Sequence, residues 1–137
     1  MKIAKEFRWE MGHRLLCHLG KCKNLHGHSY RMQVEISSDT LTNGMVVDYY
    51  DLKKHVEPFV EELDHSFMIN KNDEILLNKI EELKTKHKVV DFETTAENIC
   101  LYFIDKIKPN LPTHIKTLRV TIFETSTSYA TEEIQLD

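Results

Sequence analysis

Residues 29–37, "SYRMQVEIS", place Tyr30, Met32, Val34 and Ile36 at every second position. Residues 3–11, "IAKEFRWEM", repeat the pattern with Phe7, Trp9 and Met11. A period of two is the signature of a strand with one face in a core and the other in solvent. Further along, "IKTLRVTIFE" (115–124) alternates Leu118, Val120 and Ile122, and "YATEEIQL" (129–136) reads as a final strand. Between these pairs the period becomes helical. Asp51 to Leu63 puts Leu52, Val56, Phe59, Val60 and Leu63 on one face, with Pro58 predicting a kink or break. "TTAENICLYFIDKI" (94–107) opens with Thr94 three residues before Glu97, the spacing of a capping box. A third segment, Asn72 to His87, aligns Leu76, Ile80 and Leu83 and reads as an inserted surface helix. The order is ββ, helices, ββ. It predicts an α+β domain, an antiparallel sheet with helices on one face.

The chain has 137 residues and shows no repeat, low-complexity tract or linker, so 1–137 is read as one domain. That length can bury a core without disulfides or metal staples. The formal charge of −4 is spread along the chain with no basic block, which argues against nucleic acid as a partner. No apolar run approaches the roughly 20 residues of a membrane span, and the charged start does not read as a secretory signal. Three cysteines, an odd count, fit reduced thiols in the cytoplasm.

The chemistry concentrates in "KCKNLHGHSY" (21–30), just after His13, Cys17 and His18. His26 and His28 run into the second strand, so alternation puts both imidazoles on one face, about 6.6 Å apart along the chain. His13 keeps the parity of Phe7, Trp9 and Met11. If the first two strands are hairpin neighbours, it supplies a third nitrogen. Three His ligands leave a fourth position open, as in catalytic zinc sites. Cys22 lies between Lys21 and Lys23, whose charge favours a thiolate base or nucleophile. Its competing reading is a fourth ligand in a closed structural site, with Cys17 also involved. Cys100 falls on an apolar helix face and reads as core. Asp64 and His65 in "ELDHSF" form a His–carboxylate pair able to move protons, or a polar helix end. Glu124 is in phase with Leu118, Val120 and Ile122. A carboxylate on that face needs an ion-pair partner or a ligand offering N–H donors.

With these residues placed, the chain resembles the 6-pyruvoyl-tetrahydropterin synthase and 6-carboxytetrahydropterin synthase family. "FRWEMGHRL", "CKNLHGHSY", "GMVVDYYDLK", "LDH", "TTAEN" and "FET" occur in the family's order across nearly the whole chain. The resemblance implies a T-fold, a four-stranded antiparallel sheet with helices on one side, in a cytoplasmic trimer or hexamer. It implies zinc on His13, His26 and His28, catalysis by Cys22, Asp64 and His65, and pterin binding by Glu124, with Thr95 at the substrate pocket. The Cys-x3-HGH spacing resembles the bacterial carboxy-forming enzyme of queuosine biosynthesis. That enzyme turns 7,8-dihydroneopterin triphosphate into 6-carboxytetrahydropterin, acetaldehyde and triphosphate. The pyruvoyl-forming synthase is the alternative, and a zinc-stabilised binding module without turnover is an alternative of another class. Arg14, Lys21 and Lys23 are the expected partners of the triphosphate. The segment from Asn72 to Val90 is longer than in compact bacterial members, "TTAEN" lacks a proline common before the threonine, and Cys17 matches no family role.

Overall fold

The computed structural model describes all residues, Met1–Asp137. Two long strands, β1 (Lys2–His13) and β2 (His26–Ser37), pair antiparallel along their full length. β5 (Thr117–Phe123) adds to β2 and β6 (Tyr129–Gln135) to β5, both antiparallel. These are the four strands the alternation predicts. The sheet, however, has six strands in the order β4-β3-β1-β2-β5-β6. β3 (Ser66–Asn70) lies parallel to β1, and β4 (His87–Val90) lies parallel to β3. The four-stranded antiparallel expectation is therefore corrected to a mixed sheet.

Their shortness and double burial explain why β3 and β4 escape a period-two search. In "SFMIN", Met68 joins the main core while Ile69 joins a second cluster on the opposite face. A strand covered on both sides is a short apolar run without alternation. Gly12 makes the junction with β1 possible. A Cβ there would stand 2.6 Å from Cε1 of Phe67, so the missing side chain is what lets the β3 ring lie against β1.

The helices divide between the two faces. α1 (Tyr49–Leu63) buries Leu52, Val56, Val60 and Leu63, and α3 (Ala96–Ile107) buries Ile99, Cys100, Phe103 and Ile104. Both pack on the face formed by Phe7, Trp9, Met11, Tyr30, Met32, Val34, Leu118 and Val120. Trp9 stacks on Tyr30 with ring centroids 5.2 Å apart and lies 5.3 Å from Phe103, joining β1, β2 and α3. α2 (Glu74–Glu82) instead sets Leu76 and Ile80 on Ile69, behind β3. Helices on one face only is therefore a second correction. α2 is shorter than expected, and Leu83, which caps it, is exposed.

Pro58 does not break α1, which is assigned as one helix through that residue. The proline is on the exposed side, where water can take the carbonyl bond it cannot make. The start of α3 is shifted by one residue. Thr95, not Thr94, is the N-cap, its hydroxyl accepting from Asn98 N–H at 3.2 Å. Cys100 is core, as predicted. Its thiol donates to the Val120 carbonyl at 3.1 Å, and burial pushes its pKa up to about 11. No helix is long and apolar enough to cross a membrane.

Candidate metal centre

His13 is the last residue of β1 and His26 the first of β2, and the two are register partners. His28 is paired with Met11 on the same face. The hairpin thus gathers three imidazoles at one end of the sheet, with ring centroids 4.7, 5.3 and 4.9 Å apart. One ligand nitrogen from each lies within 4.8 Å of the others.

The hydrogen bonds decide which nitrogens face inward. Nδ1 of His13 is 2.8 Å from the Thr94 carbonyl and 3.0 Å from the Thr94 hydroxyl. Nδ1 of His26 is 2.7 Å from the Asn24 carbonyl. A carbonyl only accepts, so each Nδ1 must carry the proton and each Nε2 the lone pair. Metal-bound histidines are oriented in this way by their outer partners. The Nε2 atoms of His13, His26 and His28 are all buried and have no hydrogen-bond partner. Three convergent, buried imidazole nitrogens left without partners are costly unless an ion binds them. The donor set fits a divalent metal of the kind imidazole favours.

Burial, reinforced by the neighbouring His26 and His28, pushes the His13 pKa down to about 4, against the opposing pull of its Thr94 bond. Burial likewise lowers that of His28, opposed by Glu124. Both rings are therefore held neutral at physiological pH, the form that ligates. Glu124 follows the last residue of β5 and aims at the cluster, its Oε1 3.6 Å from Nε2 of His13 and 3.7 Å from Nε2 of His28. The carboxylate singled out by its parity is at the centre.

Cys22 occupies a one-turn 3₁₀ segment, Lys21–Lys23, and is partly exposed. Its carbonyl accepts from Leu15 N–H at 2.8 Å, which ties the turn to the chain just beyond His13. The intervening loop is clasped from outside. Glu93 accepts from the N–H groups of Leu16 and Cys17, both at 3.1 Å, and from Asn70 Nδ2 at 3.0 Å. Arg14 donates to both oxygens of buried Asp73, at 2.6 and 2.5 Å. This bidentate bond holds the Asp73 carboxyl below the usual range. Arg14 is thus a loop clamp, which corrects its expected place beside a triphosphate.

Asp64 and His65 form their pair, but on other ground. Asp64 ends α1 and its Oδ1 accepts from Glu10 N–H at 2.9 Å, a bond that lowers its pKa. The same oxygen is 3.0 Å from Nδ1 of His65. His65 donates its own N–H to the Glu10 carbonyl at 2.7 Å, and its φ of 57° is a left-handed conformation uncommon outside glycine. Its ring, 77% exposed, borders a cleft of about 430 Å³ shared with Leu25, His26, His28 and Phe67. Within the chain the pair has no hydrogen bond to the three histidines. The substrate role expected of Thr95 finds its hydroxyl already accepting a helix-capping bond.

The sequence reading missed Thr94, Asn24, Glu93 and Asp73. Thr94 and Asn24 act chiefly through backbone carbonyls, which no side-chain pattern announces. Glu93 and Asp73 read as ordinary surface acids until the loop they hold is folded.

A hairpin that presents three imidazole nitrogens and leaves one side open defines an enzyme scaffold with a candidate metal site. The family model described as 6-pyruvoyl tetrahydropterin synthase matches residues 2–135, and the chain belongs to that family. It is accordingly a lyase. The 6-carboxy-5,6,7,8-tetrahydropterin synthase of Haemophilus influenzae is 38% identical over 93% of this chain and 95% of its own. The synthase of the same name from Aquifex aeolicus is 36% identical over 94% of this chain and 95% of its own. An uncharacterized Wolinella succinogenes protein of known structure superposes with a TM-score of 0.85 at 26% identity, covering 96% of this chain and 97% of that one.

Proposed function

We propose that the chain is a zinc-dependent 6-carboxy-5,6,7,8-tetrahydropterin synthase acting on 7,8-dihydroneopterin triphosphate. The observation that carries this reading is the convergence of three unpartnered Nε2 atoms beside the Glu124 carboxylate. The names of the relatives and the short Cys22-to-His26 spacing favour the carboxy product over the pyruvoyl one. His13, His26 and His28 would hold the zinc, which when bound supplies Lewis acidity toward the substrate's side-chain hydroxyls.

The chain's own residues supply the rest. Glu124 accepts from the N–H groups on the amino-pyrimidine edge of the pterin and fixes the ring. Cys22, as thiolate, takes a proton from the side chain of the substrate. His65, oriented by Asp64, returns a proton as acid. Thr95 keeps its O–H for a substrate acceptor. Since the Asp64–His65 pair lies apart from the triad within one chain, it reaches a substrate through the shared cleft or from a second copy. The unpaired edge of β6 suits the homo-oligomer inferred for the family. A cytoplasmic place in the route to queuosine belongs to the same proposal.

Incubating zinc-loaded protein with 7,8-dihydroneopterin triphosphate tests the assignment. Mass spectrometry is expected to show 6-carboxytetrahydropterin with acetaldehyde released. A 6-pyruvoyl product without acetaldehyde assigns the chain to the other reaction. Glu124→Gln is expected to weaken binding of a pterin ligand about tenfold, because the amide keeps the shape and loses the charge that N–H donors favour. Unchanged affinity would reduce Glu124 to an ion-pair partner of the histidines.

A further inference from the structure

The sheet face turned away from α1 and α3 carries a ladder of charged side chains, and one cation in it is poorly matched. Lys2 lies 3.3 Å from Glu35 and 3.4 Å from Glu133. Arg119 lies 2.8 Å from Glu133 and 3.4 Å from Glu35. Arg31 donates to Glu6 at 2.9 Å while its guanidinium lies 3.7 Å over the Phe123 ring. Arg8 is directly opposite Arg31 in the β1–β2 register, yet its one acidic neighbour, Glu6, is 3.8 Å away. Like charges facing each other across a strand pair destabilise the sheet. An anion seated between them reverses the sign.

Both arginines line a cleft of about 590 Å³ whose wall also includes His28, Glu124 and Ser126. We infer that this cleft seats the triphosphate of the substrate, with Arg8 its mobile ligand and Arg31 its fixed one. The inference rests on the reading given under Proposed function and names the residues that recognise the polyanion. A guanidinium offers a planar fork of donors matched to phosphate oxygens. Glu6 and the Phe123 ring hold that of Arg31 in place beforehand, so little freedom is lost on binding. Thr125 and Ser126, in the turn after β5, add hydroxyl donors to the same wall.

Charge sets the direction in which the substrate lies. The carboxylates of Glu10 and Glu124 share the lining, and Glu10 already accepts the Ser29 hydroxyl at 2.6 Å. They repel a polyanion from the His28 end and leave the Arg8 end to it. His28 and Glu124 belong to the helix-bearing face and Arg8 and Arg31 to the other, so ring and tail are joined around the edge of β2 that β5 leaves unpaired beyond Arg31. The clamp between Arg14 and Asp73 removes the competing arginine.

Calorimetric titration of zinc-loaded protein with inorganic triphosphate, and separately with unphosphorylated neopterin, tests the inference. Arg8→Gln is compared with wild type and with a Lys21→Gln, Lys23→Gln double variant. Arg8→Gln is expected to weaken triphosphate about tenfold, the order of one charge-assisted hydrogen bond, and to flatten its salt dependence. Neopterin affinity is expected to stay unchanged and Tm to hold or rise slightly, since the change removes the charge facing Arg31; loss of a merely structural arginine would lower Tm. Triphosphate affinity unaltered in Arg8→Gln, or lost only in the lysine variant, overturns the assignment. Wild-type protein that binds neopterin but no triphosphate also overturns it while sparing the pterin reading. Triphosphate bound through Arg8 without any neopterin binding supports the anion seat and overturns the pterin reading instead.

Discussion

Stripping the metal with a chelator, or making His26→Ala, is expected to abolish turnover and leave the domain folded. The main core is a cluster of 24 buried residues that includes none of the three histidines. A chain of this length folds on such a core alone. Tm is expected to fall by several degrees, since a bound ion favours the native state by mass action. Circular dichroism and thermal melts beside an activity assay, on holo protein, metal-free protein and the variant, measure both effects. An unfolded metal-free protein would make the centre a structural clip, in which metal binding is itself folding energy. Loss of metal from Cys17→Ala or Cys22→Ala would support the same conclusion and return Cys22 to the ligand set.

Cys22→Ala is expected to lower kcat by about 10² to 10⁴, the range a positioned proton-transfer group contributes. Metal content and pterin affinity should change little. In the proposed site the histidines and Glu124 would supply those contacts, whereas Cys22 sits on a separate turn held through its backbone carbonyl. Cys17→Ala is the control at an exposed site, and Cys100→Ala the control in the core. Near-normal turnover in Cys22→Ala would remove the thiol from the reaction.

The sequence was legible where one side chain after another repeats the same environment. Phe7, Trp9 and Met11 against Tyr30, Met32 and Val34 announce β1 and β2, and extending that parity by one step brings His13 to His26. The same arithmetic led from Val120 and Ile122 to Glu124. It could not find β3, whose Met68 and Ile69 are buried on opposite faces, nor place α2 behind the sheet. It also could not show that Arg14 spends its charge on Asp73, because the partner lies 59 residues away. The roles proposed for Cys22, Asp64 and His65 rest on likeness to a family, because no alternation links these residues to the parity that gathers the histidines.

The clasp on the loop after β1 limits how segments of this chain can be exchanged. Arg14, Leu16 and Cys17 are gripped by Asp73 and Glu93, with Asn70 bracing Glu93. Asp73 and Glu93 lie between β3 and α3, and Asn70 is the last residue of β3. The stretch between β3 and α3 is therefore the outer jaw of the loop that joins β1 to β2. Replacing either stretch alone breaks these bonds, so the two have to be exchanged as a matched pair. A chimaera that takes one without the other receives its histidines intact and its cysteine unmoored.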